Sequence, residues 1–261
     1  MENIMNKYER LPWEGDVIAV PDRRGIVFQP GTVKPEADYL ELERLGAKLG
    51  IPVPMMFVTL EARDKNGNLT GRYHDRSRTY NRNFWNSVFS FITATATSSG
   101  TFGAGVLSIK DTGGTTRTVN GDGGYAVGCG FLHLSAAIGD ATIGNVVGTG
   151  STAESFENNA LVTKVAHGTG SGQISYGGQG SPVPSYNAGT KVWTTLQSRF
   201  FNNNSGGTIV IAETGMYPNI TYGSNAQSPT MIERSLLGAT VSVLNGGQLT
   251  VTYTITLTFP A

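Results

Sequence analysis

The strongest constraint on the fold is the stretch Leu249–Phe259, in which apolar residues alternate with threonine without interruption. Every odd position is apolar or aromatic and every even position is threonine. A period of two places these two sets on opposite faces of a β-strand, and threonine favours strands on a solvated face. The pattern predicts a long strand with one buried face.

The residues before this strand predict a partner for it. Val241 and Val243 alternate with small or polar residues, and Asn245–Gly247 is a turn sequence. We therefore predict an antiparallel hairpin over Thr240–Leu257. The pattern leaves open whether the last strand lies centrally in a sheet or pairs across an interface.

The glycine content extends the β prediction to most of the chain. The chain has 35 glycines in 261 residues, and glycine destabilises helix interiors by about 1 kcal/mol relative to alanine. Short runs separated by glycine-containing turns are typical of an antiparallel β-sandwich or barrel-like domain. The predicted fold class is mainly β, and the predicted strand runs are 106–110, 125–134, 141–147, 160–167, 192–201, 208–215, 239–244 and 249–259.

The charged residues divide the chain into two regions of different composition. Residues 1–85 hold 13 of the 19 Lys and Arg residues and 12 of the 19 Asp and Glu residues. We therefore predict four segments. They are an extended or irregular N-terminal arm at 1–53, a hairpin plus helix at 54–93, a linker or edge strand at 94–105 and a β-rich domain at 106–261. The predicted contacts of the arm with a neighbouring molecule are Trp13, Arg23 and Arg24.

Three local elements are predicted between residues 36 and 93. A weak apolar period favours a helix from Glu36 to about Lys48, ended by Gly50 and Pro52. Met55–Tyr73 is predicted as a hairpin around the turn Asp64–Asn68, because Asn-Gly is a strong hairpin signal. A calcium loop is the weaker interpretation of that turn, because Leu69 and Asp75 stand where an EF-hand needs glycine and glutamate.

The third element, Asn81–Thr93, is predicted to be an amphipathic helix with Asn81 or Asn83 as its N-cap. Its apolar stripe has the spacing i, i+3, i+4, i+7 and consists of Trp85, Val88, Phe89 and Ile92. Such a stripe packs on a core or on another subunit, so these four residues are the candidate helix-docking or interface residues.

The sequence contains no recognisable catalytic, metal-binding or cofactor-binding constellation. The only cysteine, Cys129, and the histidines His74, His133 and His167 are far apart in the chain. The glycine-rich run Gly168–Gly172 precedes a strand pattern, whereas a phosphate-binding loop precedes a helix. We therefore expect no catalytic residues, no metal and no cofactor.

Charge and hydropathy also limit the partners. The formal net charge is zero, so no direct nucleic-acid binding is expected. No apolar run reaches the length of a membrane span or a signal peptide, so no membrane contact is expected. Arg72, Arg76 and Arg82 lie among acidic residues, which favours a solvated face or ion pairs between subunits.

Several turn-and-strand motifs resemble structural proteins of tailed bacteriophage particles. The residues that carry this resemblance are Val147–Thr152, Gly168–Gln173, Arg199–Ile209, Glu213–Gly215 and Arg234–Gly238, with Ser77–Trp85 upstream. The resemblance covers roughly half of the chain and supplies no catalytic residues. It implies a homo-oligomeric virion protein that folds and assembles in the host cytoplasm and contacts other virion proteins.

The leading hypothesis is therefore a non-enzymatic component of the tail, the head–tail connection or the outer shell. The alternative is a carbohydrate- or receptor-binding β module of a virion, in which exposed aromatic rings stack on a sugar. The candidates for that role are Tyr186, Trp193, Tyr217 and Tyr222. A hydrolase is the third hypothesis, and no spacing among the carboxylates supports it.

Overall fold

The computed structural model describes residues 36–77, 80–93, 107–119, 134–222 and 226–259, without the side chains of 36–38, 91–93 and 221. The described part contains two helices, α1 (Glu36–Leu49) and α2 (Arg82–Thr93). Its strands are β1 (Val53–Arg63), β2 (Leu69–Arg76), β3 (Ser108–Lys110), β4 (Thr116–Thr118), β5 (Gly144–Gly148), β6 (Ser175–Tyr176), β7 (Val183–Asn187), β8 (Val192–Asn202), β9 (Ile209–Tyr217), β10 (Asn219–Tyr222), β11 (Ala226–Pro229), β12 (Glu233–Val243) and β13 (Gln248–Thr258).

The largest sheet has the order β2-β1-β13-β8-β6, and β7 also pairs with β8. All these pairings are antiparallel. The alternating strand β13 lies centrally, with Tyr253 opposite Val58 on one side and opposite Gln197 on the other. The apolar set of β13 points inward, where Leu249, Val251 and Tyr253 are completely buried. The predicted long strand with one buried face is confirmed.

A second sheet with the order β12-β9-β5 packs against the inner face of the large sheet. β5, most of β9 and the first residues of β12 are buried on both sides, because the large sheet covers one face and the segment 149–163 contacts the other. The common core contains side chains such as Leu60, Ile211 and Val243. The prediction of a mainly β, antiparallel fold is confirmed, and the two sheets form a sandwich.

The predicted hairpin over Thr240–Leu257 is wrong. β12 pairs with β9 in the small sheet, whereas β13 pairs with β1 and β8 in the large sheet. The turn at Asn245–Gly247 therefore connects the two layers. Each strand has one apolar face, and both faces are buried when the strands lie in opposite sheets and point toward each other.

The local elements between residues 36 and 93 agree with the sequence. α1 is a helix, and the hairpin of β1 and β2 turns at Asp64, whose carboxylate accepts from Asn66 N and Asn68 N at 2.8 and 2.9 Å. α1 contacts β1, and the Arg76 guanidinium binds Glu43 at 3.1 Å. None of the helices in the described ranges is long and apolar enough to cross a membrane.

The predicted strand runs were correct for long strands and less so for short ones. β8, β9 and β13 match their predicted runs closely, and β12 begins earlier than predicted. The run 160–167 forms only isolated bridges, at Lys164 and His167. Most of the run 125–134 and the segment 94–105 lie outside the described residues, as do Cys129 and His133.

Candidate functional site

Helix α2 is attached to the sandwich through its polar side chains. Asn81 caps the helix, since its side-chain oxygen accepts from Phe84 N at 3.2 Å. Its amide nitrogen donates to Met231 O at 2.7 Å and to Asn158 O at 2.9 Å. One completely buried asparagine therefore joins the helix start, the approach to β12 and the loop before residue 160.

The next turns of α2 use their polar side chains to complete the edge of strand β3. Asn83 accepts from Lys110 N at 2.8 Å and donates to Lys110 O at 2.9 Å, as a neighbouring strand would. Asn86 donates to Ser108 O, and Ser90 accepts from Leu107 N at 2.9 Å. Edge-strand groups need such partners, so the polar face of α2 is the face that docks.

This attachment leaves the predicted apolar stripe at the surface. Trp85 is 39% exposed and Phe89 49% exposed, and Val88 is half-buried. The side chain of Ile92 lies outside the described residues. Trp85 and Phe89 are therefore not core residues of the described part of the chain, and docking of the stripe against another subunit stays a prediction.

The loop before residue 160 extends this aromatic surface. Phe156 is 46% exposed, and the Arg82 guanidinium lies 5.4 Å from its ring centroid. Arg82 also forms a two-pronged ion pair with Glu157, and its backbone N–H donates to Phe156 O at 2.8 Å. We call the group Arg82, Trp85, Phe89, Phe156 and Glu157 the α2 surface.

A buried ion pair holds the loop half of the α2 surface in place. Arg234 and Glu213 are both completely buried, and Arg234 Nε lies 2.7 Å from Glu213 Oε2. Glu213 also accepts from the backbone N–H groups of Gly150, Val162 and Thr163. Both ions are hydrogen-bonded on all sides, as a buried pair requires.

The Arg234 guanidinium reaches the same loop from the other side. It donates to Thr152 O at 2.7 Å, to Ala153 O at 3.2 Å and to Asn158 Oδ1 at 3.1 Å. The loop 149–163 is therefore fixed by hydrogen bonds to two strands of the small sheet. The α2 surface is held by a rigid support on both its helix side and its loop side.

A second buried carboxyl lies on the opposite face of β12, between the two sheets. Glu233 Oε1 accepts from Ser77 Oγ at 2.6 Å and from Ser235 Oγ, and Oε2 has no hydrogen-bond partner among the described residues. Burial raises the pKa of the Glu233 carboxyl to about 7, and the nearby charge of Glu154 acts in the same direction. Burial also raises the pKa of Tyr253, beside it, well above its ordinary value.

The other residues singled out by the sequence occupy separate places. Trp13, Arg23 and Arg24 lie outside the described residues. His74 shares a hydrogen bond with Thr59 at 2.8 Å, and His167 Nδ1 accepts from Tyr176 N at 3.1 Å. Across the described ranges, no group of three or more His, Cys, Asp or Glu side chains is arranged to hold a metal ion.

The four candidate stacking aromatics do not form one site. Tyr217 is buried, and its hydroxyl accepts from Leu161 N at 2.6 Å, so it is no surface ring. Tyr222 contacts the Arg117 guanidinium at 4.4 Å. Tyr186 and Trp193 are direct cross-strand partners on β7 and β8, and the Phe259 ring lies 6.2 Å from Tyr186.

The sequence pattern predicts the apolar stripe of α2, but it does not predict the loop and the buried ion pair that lie beside the helix. Phe156, Glu213 and Arg234 carry no local signal of their roles, because their partners are 21 to 82 residues away in the chain. The polar residues Asn83, Asn86 and Ser90 at spacings of three and four do form a stripe. This polar stripe is visible in the sequence and could have indicated that the polar side of the helix docks.

Comparison with protein-family models, with curated proteins and with solved structures found no match to the chain.

Proposed function

We propose that this protein is a non-enzymatic structural component of a tailed phage particle. It assembles with copies of itself and contacts other virion proteins at the tail, the head–tail connection or the outer shell. The observation that carries the proposal is the α2 surface, in which three exposed aromatic rings stand on a rigid support. Aromatic residues and arginine are enriched where proteins bind each other.

The support of the α2 surface favours binding over folding as the role of its rings. Asn81, Asn83 and the Glu213–Arg234 pair fasten the helix and the loop without using Trp85 or Phe156 as core residues. A surface fixed before binding loses little conformational entropy when a partner arrives. The motif resemblance of the C-terminal half is the reason for placing that partner in a phage particle.

The first test locates the chain in purified particles of a phage that encodes it. A short epitope inserted at the exposed turn 188–190, detected with gold-labelled antibody by electron microscopy, is expected at one fixed position per symmetry unit. Particles that contain no copy of the chain would refute the proposal.

The second test asks whether the α2 surface makes the contacts. Trp85→Ser combined with Phe156→Ser is expected to lower incorporation into particles at least about tenfold, since aromatic anchors contribute roughly 2 kcal/mol or more. The matched control is Val210→Ser, which removes an exposed apolar side chain on β9. Equal incorporation of both variants would show that the α2 surface takes no part in assembly.

A second candidate function is a carbohydrate- or receptor-binding module of a virion. The cluster of Tyr186, Trp193 and Phe259 at one end of the large sheet favours it, because neighbouring aromatic faces suit an uncharged ring. Binding of host surface glycans that is lost in Tyr186→Ala and kept in Trp85→Ser would support this role. No binding by the wild-type chain at millimolar sugar would leave the structural role alone.

A further inference from the structure

The outer face of the large sheet, turned away from the small sheet, carries no ionisable side chain across three of its strands. On β13 and β8 it presents threonine, serine and apolar residues, and β7 continues the pattern. Its members are Thr250, Thr252, Thr254, Thr256 and Thr258 on β13, Thr194, Leu196, Ser198 and Phe200 on β8, and Val183, Ser185 and Asn187 on β7. We call these twelve side chains the neutral face.

The apolar side chains of the neutral face are exposed and held in place. Leu196 is 42% exposed, Phe200 41% and Val183 66%. The Phe200 ring lies on the backbone of Gly177, where a Cβ atom would come within 2.5 Å of the ring. Ser198 and Thr252 share a hydrogen bond of 2.6 Å across the strands. The face is therefore ordered before it meets a partner.

Charged residues border the neutral face on the strands beyond β13. Glu61 lies between Arg72 and Arg63, at 3.4 and 3.8 Å. Arg76 is covered by α1 at one corner. A charge-free centre beside a charged, solvated border is the usual anatomy of a protein interface.

We propose that the neutral face is where two copies of this chain pack against each other. The inference rests on the self-assembly in the proposed function and adds a surface separate from the α2 surface. A second copy is electrostatically compatible with this face. A two-fold symmetric pair packs one uncharged face on another, so no charged side chain is buried without a partner.

The area of the neutral face suits a small interface between two copies. Strands of 11, 11 and 5 residues lie side by side in β13, β8 and β7. At about 16 Å² per residue, they present about 430 Å². A pair of copies would bury about 860 Å² in total, which is the size of a weak, concentration-dependent interface, and sheets pack face to face at about 10 Å.

The test is sedimentation equilibrium of the full chain between about 1 and 100 µM, a range that detects a dimer with a micromolar Kd. The wild-type chain is expected to form dimers. Leu196→Lys places an unpaired charge in the interface and is expected to raise the dimer Kd at least about 100-fold. Val210→Lys is the matched control, because Val210 is equally exposed, at 43%, on β9 of the other sheet. Both variants are expected to keep the melting temperature that the wild-type chain shows below its dimer Kd, where association no longer stabilises the fold.

Three results would overturn the inference. One is a wild-type chain that stays monomeric over this range, and another is a dimer that Leu196→Lys leaves unchanged. The third is a photo-cross-linker at Leu196 that reacts within one monomer with residues 1–35, which would assign the face to that segment. The particle-labelling experiment fails or succeeds independently, so a dimer on this face without a place in the particle refutes the proposed function alone.

Discussion

Single buried residues decide how this protein responds to pH. Glu233 lies between the sheets, where Ser77 and Ser235 donate to its carboxyl and Tyr253, Tyr80 and Glu154 lie close to it. In this group the described residues include no cation to balance its charge. The folded protein therefore binds the Glu233 proton more tightly than the unfolded chain does.

Protonation of Glu233 is expected to link stability to pH in a defined window. Its pKa rises from 4.5 in the unfolded chain to about 7 in the folded protein. The stability that the protonated form contributes is therefore complete below about pH 4.5 and is lost as the pH rises through about 7. The loss amounts to about 3 kcal/mol, at about 1.4 kcal/mol per pH unit.

Urea unfolding between pH 5 and pH 8 measures this link. Glu233→Gln is expected to flatten the decline of the free energy of unfolding with rising pH, and to be more stable than the wild type at pH 8. Glu157→Gln is the control, because the Arg82 hydrogen bond lowers the pKa of exposed Glu157 and keeps its titration below the window. A free energy of unfolding that increases from pH 5 to pH 8 in the wild type would contradict the raised pKa of Glu233.

The buried Glu213–Arg234 pair makes the second prediction at the residue scale. Arg234→Met leaves Glu213 buried without its cation, which is expected to lower the free energy of unfolding by about 3–5 kcal/mol. Arg82→Met breaks an exposed Arg–Glu pair instead and is expected to change stability little. Chemical denaturation compares the free energies of unfolding of the two variants. Equal losses would show that the burial of the Glu213–Arg234 pair does not make it more important for stability than the exposed pair.

At the scale of the element, α2 docks through its polar side chains and Phe84, and it turns Trp85 and Phe89 outward. Asn83→Ala is expected to leave Lys110 N and O without their side-chain partner, whereas Met231 O keeps its hydrogen bond from Asn81. Buried unsatisfied groups cost about 1–3 kcal/mol, so we expect a loss of about 2–3 kcal/mol in stability. Hydrogen exchange of the α2 amides is expected to quicken.

A neighbouring asparagine provides the control for this prediction. Among the described residues, the Asn86 side chain makes one hydrogen bond, to Ser108 O, at a more exposed position. Asn86→Ala is therefore expected to have the smaller effect on both stability and exchange. If Asn83→Ala leaves α2 as protected as in the wild type, the helix is held by its apolar side and the docking described above is incorrect.

At the scale of the whole molecule, β13 joins segments that are far apart in the chain. It pairs with β1 from Val53 opposite Thr258 to Arg63 opposite Gln248, and with β8 on its other side. A chain truncated after Gly247 is expected to lose cooperative thermal unfolding, because β1 and β8 then have no common neighbour. A sharp calorimetric transition in the truncated chain would contradict this central role.

The sequence by itself determined the strand of β13, the hairpin of β1 and β2, the helix α2 and the mainly β class. These features rest on interactions between near neighbours, which fix the period of two, the period of 3.6 and the turn at Asn66–Gly67. The stripe Trp85, Val88, Phe89 and Ile92 was likewise visible, because its spacing is a local property.

Only the tertiary structure decided which face of each element is buried and which strands are neighbours. The turn at Asn245–Gly247 carries the same local signal whether it closes a hairpin or crosses between layers. α2 turns its asparagines inward because the edge of β3, which needs hydrogen-bond partners, lies there. The spacing of these polar residues is local, but the strand edge that they bind lies about 20 residues away, so the sequence pattern alone does not identify it.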